Sequence, residues 1–484
     1  MKATSANFLT VIKGPKQFVI PIYQRTYSWQ IAQCNKLLND ILRISKDPSV
    51  PGHFIGSVVY FQESIHTVSD VPKLLVIDGQ QRLTTISLLI AALAEFVRDN
   101  KVDIDTNFTK LQNYYLLNAE EDSELRYKLL LTRRDKDTLI NIIQGIAPSG
   151  DYSLRVAENF KFFKEKINSE NAAEIYNGIM RLFIVDVALE KDKDNPQLIF
   201  ESLNSTGLDL SQADLIRNYI LMGQEIKLQT ELYEKYWFPM EQSYGNEYTA
   251  SFDWFMRDYL SVKTGLIPRI DRVHDEFKNY AQSSKAPASI TEVVQDIHKF
   301  SGYYVNMVLH KEPDADLQKG FKNISRLKVD VSYPFFLPVY NDYATGVITK
   351  EEFSEIISLV ENYVFRRAIC GIPTNSMNKT FATLYKSIKK TNYLEGVKAA
   401  FQLMDSYKRY PTDAEFEKEI VAKDVYNFRN RNYLLNRLEN YKRKEMVNVV
   451  LIMLQKIWEC CLPPIRIQFM LIILIQHPFL LIRK

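Results

Sequence analysis

Residues 78 to 82 read Asp78-Gly79-Gln80-Gln81-Arg82, set between the apolar run Leu74 to Ile77 and an amphipathic run that starts at Leu83. A carboxylate, a glycine, two amides and a guanidinium in five positions are suited to holding an anion. Gly79 lets the backbone approach a ligand, Arg82 can present two parallel N–H donors to phosphate oxygens, and Gln80 and Gln81 add neutral donors and acceptors. Asp78 can cap a helix, hold a divalent cation or position a water. The plainer alternative is an ordinary helix start, with Asp78 as its N-cap and Arg82 a surface residue.

Two other stretches hold polar groups in suggestive places. In FVIPIYQRTYSW, residues 18–29, Gln24 and Arg25 follow an alternating apolar run, with Tyr23 before them and Tyr27 and Trp29 after. A second Gln-Arg pair near a strand end is what the opposite wall of a phosphate clamp needs, and the aromatic rings suit base stacking or local packing. In IFESLNSTGLDLSQADLIRNYIL, residues 199–221, a helix should end at Leu203 and a new one should begin after Ser211, with Asp214 at its third position as in a capping box. Asn204, Asp209, Asp214 and Asn218 are polar groups able to complete a site there.

These segments need elements to position them. FVIPIY (18–23), HFIGSVVYF (53–61), KLLVID (73–78), RYKLLLT (126–132) and RLFIVDVAL (181–189) are rich in β-branched or aromatic residues and bounded by turn formers, so they read as strands. Helical spacing recurs between them, as in Leu83, Ile86, Leu89, Ile90 and Leu93, which predicts a helix from Gln80 or Gln81 to about Val97. The DGQQR segment then sits at a strand-turn-helix junction, where unpaired N–H groups and the helix dipole favour an anion. An α+β domain over residues 1–222 fits this alternation. Residues 223–446 show few strand-like runs and a three- to four-residue apolar period, which predicts a mainly helical domain.

Residues 447–484 form an atypical tail with one acidic residue, Glu459, two of the four cysteines and no clear period. Arg466, Gln468, Gln476, His477 and several prolines interrupt every window of the roughly 20 apolar residues that a membrane span needs. A truncated or frame-shifted end accounts better for the abrupt change.

Composition closes other routes. With 61 basic and 58 acidic residues the net charge is +3, so nucleic-acid contact must be local rather than a bulk effect. Cys34, Cys370, Cys460 and Cys461 lack metal-ligand spacing, and the N-terminus lacks a signal peptide, so a reducing, cytoplasmic setting is expected. No GxxxxGK[ST], GxGxxG or HExxH occurs, and the six histidines do not fall in metal spacing.

Taken in order, IPIYQRTYSW, HFIGSVV, VIDGQQRLTTISLL and FESLNSTGLDLSQADLIRN resemble the N-terminal domain of the GmrSD family of modification-dependent (type IV) restriction endonucleases, over roughly residues 8–222. The resemblance implies a ParB/sulfiredoxin-like fold that binds and hydrolyses a nucleoside triphosphate with a divalent metal such as Mg²⁺. It makes Asp78, Gln81 and Arg82 the catalytic candidates and Gln24, Arg25, Gly79, Gln80 and Arg82 the nucleotide-binding ones. Asp78 is the candidate metal ligand, and Tyr23, Asn204 and Asp214 are possible supporting residues. Modified DNA is the implied partner, with a nuclease domain or subunit. Full-length relatives continue into an HNH-like domain with a His-x-x-Pro motif, which is missing here because His477 is followed directly by Pro478. Cleavage of DNA by this chain alone is therefore not expected. Two other readings stay open: a non-catalytic nucleotide- or DNA-binding module that works with a separate nuclease, and an inactive remnant.

Overall fold

The apolar runs become neighbours in one mixed sheet. In the computed structural model, which describes residues 1–62, 71–100, 102, 104–147, 149–190, 194–204 and 210–439, the chain divides into two compact units, Met1–Tyr233 and Glu234–Lys484. The first unit is α+β. Its elements are β1 (Lys2–Asn7), α1 (Phe8–Ile12), β2 (Gln17–Val19), α2 (Ile31–Lys46), β3 (His53–Gln62), β4 (Lys73–Asp78), α3 (Gln80–Asn100), α4 (Phe108–Tyr115), β5 (Leu129–Leu130), α5 (Arg133–Gln144), α6 (Leu154–Lys166), α7 (Ala172–Met180), β6 (Leu182–Leu189), α8 (Pro196–Asn204), α9 (Gln212–Leu221) and α10 (Ile226–Leu232).

The sheet order is β1-β6-β3-β4-β2-β5. β3 runs antiparallel to β4 and parallel to β6, while β2 is parallel to both β4 and β5. Parallel neighbours require crossover connections, and the intervening helices supply them. At the centre of the core is α3, in which Leu83 to Ala94 are buried almost without interruption; a helix apolar on all sides belongs inside a domain. Thr84 and Thr85 are tolerated there because their hydroxyls donate to the Gln80 and Gln81 carbonyls, each at 2.8 Å.

Two strand expectations change, and one strand appears that the sequence did not predict. β2 stops at Val19 instead of reaching Tyr23: Pro21 has no N–H for a ladder, and its carbonyl instead accepts from the Gln24 amide, which turns the chain. Of 126–132 only Leu129 and Leu130 join the sheet, since Ser123–Arg126 forms a 3₁₀ turn and Tyr127 makes an isolated bridge to Leu117. The edge strand β1 is KATSAN, whose exposed polar side chains leave no apolar alternation to read.

The first unit ends at Tyr233, later than the expected 222, and the Arg133 guanidinium lies 4.6 Å from the Tyr233 ring centroid within that unit. The second unit is helical, and among its described residues it contains no strand. Long helices such as Tyr248–Thr264, Ile290–Val308 and Lys350–Ile369 pack Phe252, Phe255, Tyr259 and Tyr363 into its interior. The tail from Val447, residues 191–193 and the loop 205–209 lie outside the described residues. Among the described residues no helix is long and apolar enough to cross a membrane.

Candidate functional site

Two glycines shape the junction. Gly79, between β4 and α3, has φ +97°, and a Cβ there would come within 2.8 Å of the Ser57 carbonyl oxygen on β3. A side chain would be both strained and crowded, so glycine is required. Opposite it, β3 carries a bulge between Phe54 and Ser57, where its register with β6 shifts. Within the bulge Gly56 has φ +105°, and a Cβ on it would sit 1.8 Å from Arg82 Nη1. Absence of that Cβ lets the Arg82 guanidinium lie across the strand. Bulges aim groups that a regular ladder would hold elsewhere.

Arg82 is fixed by what the bulge offers. Its Nη2 donates to Asp78 Oδ2 at 2.9 Å and its Nη1 to the Ile55 carbonyl at 3.2 Å. Ser57 Oγ donates to the same Asp78 oxygen at 3.2 Å. No helix amide is among the described partners of Asp78, so its carboxylate orients Arg82 instead of capping α3. Both partners remain partly open, with 21% of the Arg82 side chain and 26% of the Asp78 side chain exposed.

The other two motifs converge on this turn by holding its backbone. Gln24, buried, donates from Nε2 to the Ile77 carbonyl at 3.0 Å, directly before Asp78. Gln81, also buried, accepts at Oε1 from the amides of Ser28 (2.9 Å) and Trp29 (3.2 Å) and donates to the Thr26 carbonyl at 3.4 Å. The segment 24–29 is thus fastened at both ends to the β4–α3 turn. Between the fastenings lies Arg25, half-buried, whose guanidinium has no hydrogen bond or ion pair with any described residue. Gln80 is likewise half-buried, and no described residue engages its side-chain amide.

The third motif contributes a residue that its spacing did not single out. Arg217 on α9 is buried, donates from Nε to the Tyr23 carbonyl at 2.9 Å, and pairs through Nη2 with Asp214 Oδ1 at 2.7 Å. Ser211 caps α9 through the Asp214 amide at 3.1 Å, as its sequence predicts. Tyr23 is buried, and that burial pushes its phenol above the ordinary tyrosine value. The side chain of Asn204, and Asp209 altogether, lie outside the described residues. Asn218 is buried, and its Oδ1 has no hydrogen-bond partner among the described residues.

A cleft of about 380 Å³ opens beside Arg82, within the size range of small-molecule sites. Trp29, Gln33, Lys36, Leu37 and Asp40 line it from the start of α2, His53, Phe54 and Ile55 from β3, and Arg82 and Ile86 from α3. Of the residues singled out from sequence as candidates, Arg82 lines it; Arg25, Gln24, Gln80 and Gln81 do not. Lys36 and Asp40 had no motif to announce them; their only signal was a run of polar residues, Gln33, Lys36 and Asp40, at helical spacing on α2. His53 opens the HFIGSVV segment, but its side chain was not singled out there.

Support around the cleft is also polar. Asn159 Nδ2 donates to the Trp29 carbonyl at 2.7 Å and to the Tyr27 hydroxyl at 3.0 Å, and Asp135 accepts the Tyr27 amide at 2.6 Å. Burial raises the Asp135 carboxyl above the usual range, partly offset by hydrogen bonds, one of them from the Tyr27 amide. A divalent ion finds one carboxylate at the junction, Asp78, and among the described residues no three His, Cys, Asp or Glu side chains gather around a common point. That donor set suits a Mg²⁺ whose other ligands are phosphate oxygens and water, and does not suit an all-protein cage.

An α+β unit whose strand-turn-helix junction presents a fixed arginine to a cleft is the class of domain that the geometry defines. Residues 8–221 match the family described as GmrSD restriction endonuclease, N-terminal domain. The match covers somewhat less than half of the 484-residue chain and makes that stretch similar to a domain of restriction endonucleases. No curated protein matches the chain.

Proposed function

We propose that the first unit binds a nucleoside triphosphate at the Asp78–Arg82 junction and hydrolyses it as part of a type IV restriction system directed at modified DNA. The observation that carries this reading is the fixed Arg82 guanidinium, held by Asp78 and the Ile55 carbonyl at the lip of a cleft also lined by Lys36, which forms no ion pair with any described residue. Two cations in one cleft suit a polyphosphate, with Arg82 as the planar donor and Lys36 as the point charge. Asp78 would hold Mg²⁺ together with the phosphates, and the ion would supply charge neutralisation when bound. Gln24 and Gln81 keep the two motif backbones in register. Cutting of DNA falls to a nuclease domain or subunit.

The pairing of Asp78 with Arg82 favours a second reading, in which nucleotide is bound as a switch without turnover. Asp78 Oδ2 already accepts from the Arg82 guanidinium and the Ser57 hydroxyl, which leaves fewer lone pairs free to position an attacking water. Phosphate release by the purified chain with each common nucleoside triphosphate and Mg²⁺ separates the two. Under the first reading Arg82→Ala and Asp78→Ala each lower turnover by about 10²-fold or more, the scale for losing one electrostatic contact to the transition state. Turnover equal to that of the unaltered chain overturns the assignment, and tight binding without phosphate release selects the switch.

A further inference from the structure

The cleft beside Arg82 contains two aromatic rings that the triphosphate reading does not use. Phe54 stands on β3 with 59% of its surface exposed. Trp29 lines the same cleft, half-buried, with its backbone fixed on both sides: its amide donates to Gln81 Oε1 and its carbonyl accepts from Asn159. Neither ring stacks on the other or on any other described ring, although such pairs are frequent elsewhere in this protein. Both rings line one cleft, and Trp29 also packs against the core of the unit. The bulge at Ile55–Gly56 accounts for the Phe54 position, because the same irregularity that offers the Ile55 carbonyl to Arg82 separates Phe54 from the regular strand beyond it.

We infer that this cleft is a nucleobase subsite in which Trp29 and Phe54 flank the base while Lys36 and Arg82 face the phosphate-bearing side. The inference rests on the nucleotide reading above and adds to it the part of the ligand that the cleft recognises. Aromatic faces accept any base, so the rings supply affinity without strict choice among bases. Gln33 and Asp40, on the same α2 face, present amide and carboxylate groups at the rim of the cleft. Asp40 already accepts from Arg43 Nη2 at 3.0 Å and lies 3.6 Å from His53 Nε2. A carboxylate can accept further donors beyond these, so amino-bearing base edges are the class it would favour.

Equilibrium binding of a fluorescent nucleoside triphosphate and of inorganic tripolyphosphate to the full chain tests this. Tripolyphosphate carries the charges but no base. Phe54→Ala is expected to weaken nucleotide binding by about fivefold to a hundredfold, the range for loss of one stacking partner, and to leave tripolyphosphate binding unchanged. Phe54→Tyr should restore the nucleotide affinity. Arg82→Ala should weaken both ligands. If Phe54→Ala binds nucleotide as the unaltered chain does, or if nucleotide binds no more tightly than tripolyphosphate, the base subsite is wrong while the phosphate site stands. If neither ligand binds the unaltered chain, both readings fall. Binding of single-stranded DNA that depends on Phe54, with nucleotide binding indifferent to it, assigns the cleft to a DNA base and overturns the inference.

Discussion

Two Asp–Arg pairs mark two helix starts in the first unit, and their surroundings differ. Asp78 and Arg82 lie four residues apart, 2.9 Å between charged atoms, with roughly a quarter and a fifth of their side chains exposed beside a cleft. Asp214 and Arg217 lie three apart at 2.7 Å, with 15% and 5% exposed, and the arginine's Nε is committed to the Tyr23 carbonyl. The same two charged groups therefore do different work. Where water and a ligand can reach the pair, the guanidinium can exchange partners; where they cannot, it serves as an internal brace. A third carboxyl extends the comparison to the helical unit. Asp258 is buried there, where among the described residues its chain neighbour Arg257 is its one donor, at 3.4 Å, and burial pushes it up to about 8.

The largest effect is expected from the brace. Arg217→Ala leaves Asp214 and the Tyr23 carbonyl without that donor inside the first unit, and breaking a buried pair from one side costs about 3–5 kcal/mol. Urea unfolding of the first unit, followed by hydrogen exchange, measures it; a loss below about 1 kcal/mol would erase the distinction between the two pairs.

Next comes the turn that separates them in kind. Gly79→Ala forces a side chain into a φ of +97° and against the Ser57 carbonyl, for a cost of about 2 kcal/mol or more. The same measurement applies, and a neutral result would mean that β3 and β4 can part there freely.

The buried Asp258 carboxyl gives the helical unit a pH signature of its own. Between its ordinary value near 3.8 and its raised value near 8, the folded chain holds a proton that the unfolded chain has released. Stability must then fall as pH rises through that window, by about 1.4 kcal/mol per pH unit for one proton. Unfolding midpoints of the helical unit at pH 5, 6, 7 and 8 should show this slope, and Asp258→Asn should flatten it. An equal slope in the variant would refute the assignment.

Smallest is the expected stability effect at the open pair. Arg82→Ala should change stability by less than about 1 kcal/mol, because a partly exposed ion pair contributes little, while nucleotide binding is lost. A large fall in stability together with unchanged binding would make Arg82 a brace like Arg217.

Much of this arrangement was legible in the residues. KLLVID became β4 with the expected ends, and the apolar period after Gly79 became α3. Ser211 capped α9 because its hydroxyl lies three residues before the Asp214 amide. These features depend on neighbours in the chain. Less legible were the directions of Gln24 and Gln81, which face inward to hold backbone, and the edge strand β1, which pairs through its main chain and buries few side chains. The Arg217 contact with Tyr23 spans nearly the whole unit, and no local pattern encodes such a reach.

From its residues alone this protein shows an α+β unit, a helical unit, and the chemical groups able to meet a phosphate, since propensity, periodicity and side-chain type are local properties. Only the tertiary structure decides which of those groups face a common space. Sheet pairing and the bulge in β3 set the direction of every side chain on that strand. They bring Arg82 beside Trp29, Lys36, His53 and Phe54 while directing its sequence neighbour Gln81 into the interior. A one-residue change of register reverses which side of a strand faces the core, so the membership of the cleft is a property of the packed sheet and not of the motif.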